Sequence, residues 1–413
     1  MKTRLASVLG LLALVLSACS IDVSGLTPAP ALTSAVTAAA SASATAPLAA
    51  NTETPVVAAT QPLLATLGPG PTVQTTSAPP TTLAPNGTSA KPTPFTRPVT
   101  WADRHLQGKL IFTAGTEGIL QLDLATGTVT NLFAPADPVN SWVVASAVSP
   151  ADQHLVMAYA PPPSNNSVQF GYTSLYALPA GGAGTPQPVF GRPITQETYF
   201  DPAWSPDGKW LYYVHLTSPI TQTGVSRFAI ERMAYPAGQP TLVAQDAFWP
   251  RLSADGTHLA LVHYDYTTGI QTLFVAAPDG TQLRQIMLPA DFQSSDSPMF
   301  TPDGKAIIFS GITSSSPASL SWFDHLLGVH VAYADGSPAD WYRVSLSGGA
   351  PVQMNHVADT SMYGTFAPDG QHIAYISSSG LFVMKPDGTD IVPMIGSSDL
   401  TGSVGAATVD WVP

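Results

Sequence analysis

The sequence predicts an all-β fold: a six-bladed β-propeller of four-stranded antiparallel blades, preceded by a disordered tether. Three observations predict it. First, the unit Pro202-Ala-Trp-Ser-Pro-Asp-Gly-Lys-Trp-Leu-Tyr-Tyr-Val214 returns as variants beginning at Pro250, Pro298 and Gly364, with a more diverged copy at Ser146. Second, its Ser-Pro-type dipeptides stand at 149, 205, 253, 301 and 367, spacings of 56, 48, 48 and 66 residues, and periods of this order mark arrays and propellers. Third, each end of the repeat region holds half a unit. Gly108-Lys-Leu-Ile-Phe-Thr113 matches the second strand of the repeat without a first, and Val409-Asp-Trp-Val-Pro413 matches the first without a second.

The elements follow in chain order. Lys2 and Arg4 precede an apolar run from Leu5 to Leu16, which is shorter than the roughly 20 residues that span a bilayer. Leu16-Ser-Ala-Cys19 then places small residues before a cleavage point, as in an export signal. This ending resembles the bacterial lipobox, and the resemblance implies lipidation at Cys19. Cys19 is the only cysteine of the chain, so the folded part has no disulfide, thiolate metal site or cysteine nucleophile. Residues 1–19 are read as a lipoprotein signal peptide, with no transmembrane helix in the mature chain. The expected location is extracytoplasmic, lipid-anchored to the cell envelope.

Residues 20–99 are mostly Ala, Thr, Pro and Ser, with only Asp22, Glu53, Lys91 and Arg97 charged. Such a segment buries too little apolar surface to offset its ordering entropy, so a disordered, proline-stiffened tether is expected. It would reach roughly 50 Å as a coil and about 250 Å fully extended. Signal and tether hold four basic and two acidic residues. Of the chain's 15 basic and 27 acidic residues, 11 and 25 therefore remain in residues 100–413, a net charge of −14. This charge argues against nucleic acid, whose binding rests on Lys and Arg neutralising phosphates.

Each unit from 100 to 413 reads as two hairpins. A short strand meets Ser-Pro-Asp-Gly, where Pro sets φ and Gly supplies the left-handed position. A second strand rich in aromatic and β-branched residues follows, as in Ala306-Ile-Ile-Phe-Ser310. A further hairpin, such as Leu273-Phe-Val-Ala-Ala-Pro-Asp-Gly-Thr-Gln282, completes four strands. The C-terminal half-unit should join the N-terminal one and close the ring, removing its open edges.

The Ser-Pro-Asp-Gly-Lys units resemble the PD40 (WD40-like) repeats of TolB-type six-bladed propellers. The resemblance covers residues 101–413 and implies the fold. Its functional implication is broad, because such repeats also occur in propeller domains of serine peptidases and in some polysaccharide lyases. The chain departs from TolB in carrying a tether where TolB has an α/β domain.

In an up-and-down blade the Asp-Gly turns all share one face. Asp207, Asp255, Asp279, Asp303, Asp369 and Asp387 are accordingly expected to be turn residues, not calcium ligands. The opposite face receives the longer connections, at about 160–172, 216–226 and 312–340. In the last of these, Trp322, Phe323, Leu326 and Leu327 would form one apolar stripe if helical, either a partner-binding or lid element or a loop folded on its own blade.

Aligning the repeats puts Asp201, Trp249, Asp296 or Ser297, and Tyr363 at the channel mouth on that opposite face. Arg251 and Asp410 lie within inner strands. His215 and His263 occupy equivalent positions on adjacent blades and are expected at the same face, His215 emerging beside Asp201. Two imidazoles with an aspartate suit a zinc or manganese ion, although repeats also place equivalent residues together without any ligand. We expect no metal and no cofactor.

The chain lacks a Gly-x-Ser-x-Gly elbow, a His-Glu-x-x-His pair, a Walker loop and a Gly-x-Gly-x-x-Gly turn. The favoured reading is a non-catalytic binding or scaffold module for an envelope protein, peptide or glycan at the channel mouth. The alternative is a polysaccharide lyase or hydrolase using Asp201, His215, His263 or Asp296.

Overall fold

The repeat's turn chemistry sets the first hairpin of each blade. In the computed structural model Ser205 Oγ donates to Asp207 Oδ1 (2.6 Å), and the same oxygen of Asp207 accepts the Lys209 N–H (3.1 Å). Ser205 Oγ in turn accepts the Trp210 N–H (2.9 Å). Ser253 with Asp255 and Thr301 with Asp303 repeat the arrangement at 2.5 and 2.6 Å. Gly208, Gly256 and Gly304 follow with φ of 66–69°, a backbone that only glycine adopts without strain.

Residues 95–162, 173–182, 184–190, 197–216, 227–287, 291–313, 337–400 and 407–413 are described. All belong to the second of the chain's two units, Pro79–Pro413. Cys19, the tether up to residue 94, most of the three long connections, and Trp322, Phe323, Leu326 and Leu327 lie outside the described residues.

The described residues form six antiparallel sheets. Blade one holds β1 (Phe95–Thr96), β2 (Lys109–Thr113), β3 (Ile119–Asp123) and β4 (Thr128–Phe133). Blade two holds β5 (Trp142–Val148), β6 (Leu155–Ala160), β7 (Ser174–Leu178) and β8 (Gln187–Pro188). Blade three holds β9 (Thr198–Trp204), β10 (Trp210–Leu216), β11 (Phe228–Ala234) and β12 (Thr241–Gln245). Blade four holds β13 (Ala247–Leu252), β14 (Leu259–Tyr264), β15 (Gln271–Ala276) and β16 (Arg284–Gln285). Blade five holds β17 (Phe292–Phe300), β18 (Ala306–Thr313), β19 (Asp340–Ser345) and β20 (Val352–Gln353). Blade six holds β21 (Tyr363–Phe366), β22 (Ile373–Ser377), β23 (Gly380–Met384) and β24 (Val392–Gly396).

The last strand, β25 (Val409–Val412), returns to blade one. It pairs with β2 in the register Lys109↔Val412 to Phe112↔Val409, so the expected ring closure is present. The innermost strands β25, β5, β9, β13, β17 and β21 contact one another in a closed cycle.

Second strands read as unbroken apolar runs because blades pack on both of their faces. Every residue of β6 and of β22 is buried. Tyr212, Tyr213, Phe112, Phe309 and Trp341 are among the largest fully buried side chains. Each such side chain contributes about 1.5–3 kcal/mol through burial.

One difference from expectation lies at the N-terminal boundary. The blade-one sheet begins at Phe95, ahead of the expected start at 100. Phe95 and Thr96 pair with Val129 and Thr128, and the Arg97 N–H bonds to Gly127 O (2.9 Å). A side chain at Gly127 (φ 69°) would approach Arg97 O to 2.4 Å, so this contact requires glycine. The segment then crosses toward blade six. Arg97 meets Asp399 at 2.5 Å, Arg104 pairs with Asp390, and Trp101 is buried with its Nε1 on Leu124 O (2.8 Å).

Candidate functional site

The inner strands of three successive blades carry the same irregularity. Register slips by one residue at Asp201-Pro202 in β9, at Trp249-Pro250 in β13 and at Ser297-Pro298 in β17. Proline cannot donate to the ladder, so a strand interior tolerates it only at such a bulge. The preceding residues have φ of 45°, 56° and 48°, values that cost non-glycine residues about 1–3 kcal/mol. The bulge re-aims these side chains. It also resolves the alignment, since Ser297, not Asp296, is equivalent to Asp201 and Trp249.

A charged cluster forms at this level of the channel. Arg251 is its cation, its guanidinium 4.6 Å from the Tyr363 ring centre and 5.6 Å from that of Trp249. The two rings are themselves 5.6 Å apart, and both are buried. Arg251 Nη1 donates to Pro250 O (2.6 Å), and the rest of the guanidinium lies against the two rings.

Carboxylates come from alternate blades: Asp410 from blade one, Asp201 from blade three and Asp296 from blade five. Asp201 is 2% exposed, and its Oδ2 has no hydrogen-bond partner. Burial pushes the Asp201 carboxyl up to about 7, opposed by Arg251 and reinforced by Asp296. Asp410 is also pushed up to about 7 by burial, against the Val148 N–H on its Oδ2 (3.1 Å) and Arg251. Asp296 Oδ2 lies 2.5 Å from Ser294 Oγ. Burial raises the Tyr363 phenol, with Arg251 opposing and Asp410 and Asp201 adding to the rise.

Of the eight candidate residues, Asp201, Trp249, Arg251, Asp296, Tyr363 and Asp410 are linked by ring contacts or by charge. The two histidines are engaged elsewhere. His215 is buried between Glu231, 3.0 Å from Nδ1, and Glu197, 3.3 Å from Nε2, and it stacks on Tyr199 at 4.5 Å. Tyr213 and Tyr199 hydroxyls hold those glutamates at 3.0 Å each. His263 is half-buried against Phe274, with ring centres 5.5 Å apart. Among the described residues no group of three or more His, Cys, Asp or Glu is arranged to hold a metal ion.

The aspartates of the turn face behave as turn residues. Hydrogen bonds from Ser205 and Lys209 hold Asp207 down to about 2, and those from Ser253 and Thr257 do the same for Asp255. One groove of about 440 Å³ opens on that face, lined by His105, Gln107, Asp369, His372, Trp411 and Pro413 among others.

With this geometry in place, known structures can be compared. The fold is shared with TolB. TolB from Acinetobacter baumannii superposes with a TM-score of 0.51 at 14% identity, over 73% of this chain and 66% of that one, just under two thirds of TolB's length. A chain of a nidogen/laminin complex superposes with a TM-score of 0.50 at 9% identity, over 73% of this chain and 97% of its own. Identities this low show the fold alone. No protein-family model matches the chain, and no curated protein matches it in sequence.

The sequence missed the supporting residues, such as Thr408, Ser146, Glu197 and Glu231. Thr408 Oγ1 joins the Ser146 backbone of blade two at 2.8 and 3.0 Å. The bulges did leave a signal, because Pro202, Pro250 and Pro298 recur at intervals of 48 residues.

Proposed function

We propose that this chain is a membrane-anchored extracytoplasmic lipoprotein whose propeller is a non-catalytic binding or scaffold module, taking an envelope protein, peptide or glycan at the channel mouth. One observation carries the binding reading. Asp201 Oδ2 is buried and accepts no hydrogen bond among the described residues, inside a cluster drawn from blades one, three, four, five and six. Buried polar groups are normally paired, and leaving one unpaired costs about 1–3 kcal/mol. A ligand that supplies a donor there relieves that cost. The lyase or hydrolase alternative would use Asp201, His215, His263 or Asp296; of these, His215 is held by Glu197 and Glu231 and His263 lies against Phe274, which leaves it the aspartates.

The anchor rests on Cys19 and the segment before it. No helix among the described residues is long and apolar enough to cross a membrane. Cys19→Ser should release the chain from membranes into the soluble fraction; persistent tight association overturns the anchor.

The channel site is tested by screening the purified full chain against peptide and oligosaccharide libraries, with Arg251→Met and Asp201→Asn beside it. The expected hit loses at least tenfold in affinity in both variants and is recovered unaltered. A hit cleaved by the wild type, or bound equally by all three proteins, contradicts the proposal.

A further inference from the structure

The channel mouth has a chemical preference that narrows its ligand. Among the described residues, three carboxylates, Asp201, Asp296 and Asp410, stand there against one guanidinium, Arg251. Asp201 Oδ2 is enclosed and lacks a donor. Resting on the channel-mouth reading above, we infer that the site takes a cationic side chain of a peptide, a lysine ammonium or an arginine guanidinium, seated on Asp201 beside the Arg251–Trp249–Tyr363 stack.

Three physical points lead there. An ammonium or guanidinium supplies the missing hydrogen-bond donor and, unlike a sugar hydroxyl, also offsets the excess carboxylate charge. An anionic ligand would meet Arg251, but every carboxylate that is ionised would repel it in a site where little water screens the repulsion. The channel already stabilises one cation in this way, since Arg251 lies over two aromatic faces within reach of the aspartates. Arg251 directs Nη1 to Pro250 O and makes no hydrogen bond to Asp201 Oδ2.

The wider charge acts in the same direction. The net −14 over residues 100–413 draws basic segments toward the propeller and accelerates their encounter. Burial holds Asp201 and Asp410 at about 7, so a cation docking at neutral pH should displace protons from them.

Isothermal titration calorimetry on the full chain tests this with three probes: acetyl-trilysine amide, acetyl-triglutamate amide and chitotriose. The lysine peptide should bind, and its heat should change with the ionisation enthalpy of the buffer, which reports proton release. Asp201→Asn should weaken it at least tenfold. Asp279→Asn removes the same formal charge from an exposed turn and should change affinity less than twofold. Asp410→Asn, expected to weaken binding at least fivefold, gives a second reading should Asp201→Asn fail to fold. Equal weakening by Asp279→Asn, or no effect of either channel variant, overturns the inference. If chitotriose or the glutamate peptide binds in a manner lost in Arg251→Met and the lysine peptide does not bind, the cation preference falls while the channel site stands. If none of the probes shows binding that depends on channel residues, both fall.

Discussion

Asp201 concentrates the strain of this molecule in one residue. Its backbone sits at φ 45° before a proline, and its carboxylate is enclosed with one oxygen unpaired. Its folded-state carboxyl titrates at about 7, above the ordinary value of 3.8. The folded chain therefore binds more protons than the unfolded chain between about pH 4 and 7, and stability falls as pH rises through that window. Asp201→Asn removes the ionisable group. Thermal unfolding should show the variant more stable than wild type at pH 8, by up to about 4 kcal/mol, with the difference gone near pH 4. A variant less stable at both pH values would show that the carboxylate is satisfied in the fold. A second residue-scale prediction concerns Ala367, which occupies the place of Ser205, Ser253 and Thr301 in blade six. Its N–H already bonds to His372 O as Ser205's bonds to Trp210 O, so Ala367→Ser should complete the turn and add about 1 kcal/mol of stability in denaturant unfolding.

At the scale of elements, two devices hold blades one and six together. β25 supplies the innermost strand of blade one with a full backbone ladder and buries Trp411. The segment from Phe95 to Arg104 crosses the same seam from outside, through pairs that are partly exposed. Exposed ion pairs are worth about 0–1 kcal/mol each, whereas a lost inner strand opens a sheet edge along the ring. Removal of residues 409–413 should therefore abolish cooperative thermal unfolding. Arg97→Ala with Arg104→Ala should preserve it and lower stability by about 1–2 kcal/mol. The reverse order of effects would make the outer segment the principal closure.

Elements were also the level at which the sequence was most legible. The turns could be read because their chemistry is local: Ser205, Asp207, Gly208 and Trp210 lie within six residues. Ring closure could be read because two half-units complement each other. The site was legible as a set of names but not as an arrangement. Repeat alignment put Asp201, Trp249 and Tyr363 at one level, yet it cannot see that Arg251 reaches Tyr363 two blades away. It placed His215 beside Asp201 because the two flank one repeat. The actual partners of His215, Glu197 and Glu231, stand on neighbouring stretches whose side-chain directions no repeat encodes. The alignment left Asp296 or Ser297 open, and the bulge decides for Ser297, a one-residue choice that in a strand exchanges the two faces.

At the scale of the whole molecule, an acidic ring of blades surrounds a small, largely desolvated cluster in which, among the described residues, three carboxylates face one guanidinium. The account stands or falls on that desolvation, since a hydrated, fully paired cluster would have no need of a ligand. Carboxyl-carbon NMR of the full chain labelled at aspartate measures it directly. Two resonances should titrate near pH 7, one absent in Asp201→Asn and the other in Asp410→Asn, while those of Asp207 and Asp255 titrate near 2. A spectrum in which every aspartate titrates below pH 5 would contradict the account.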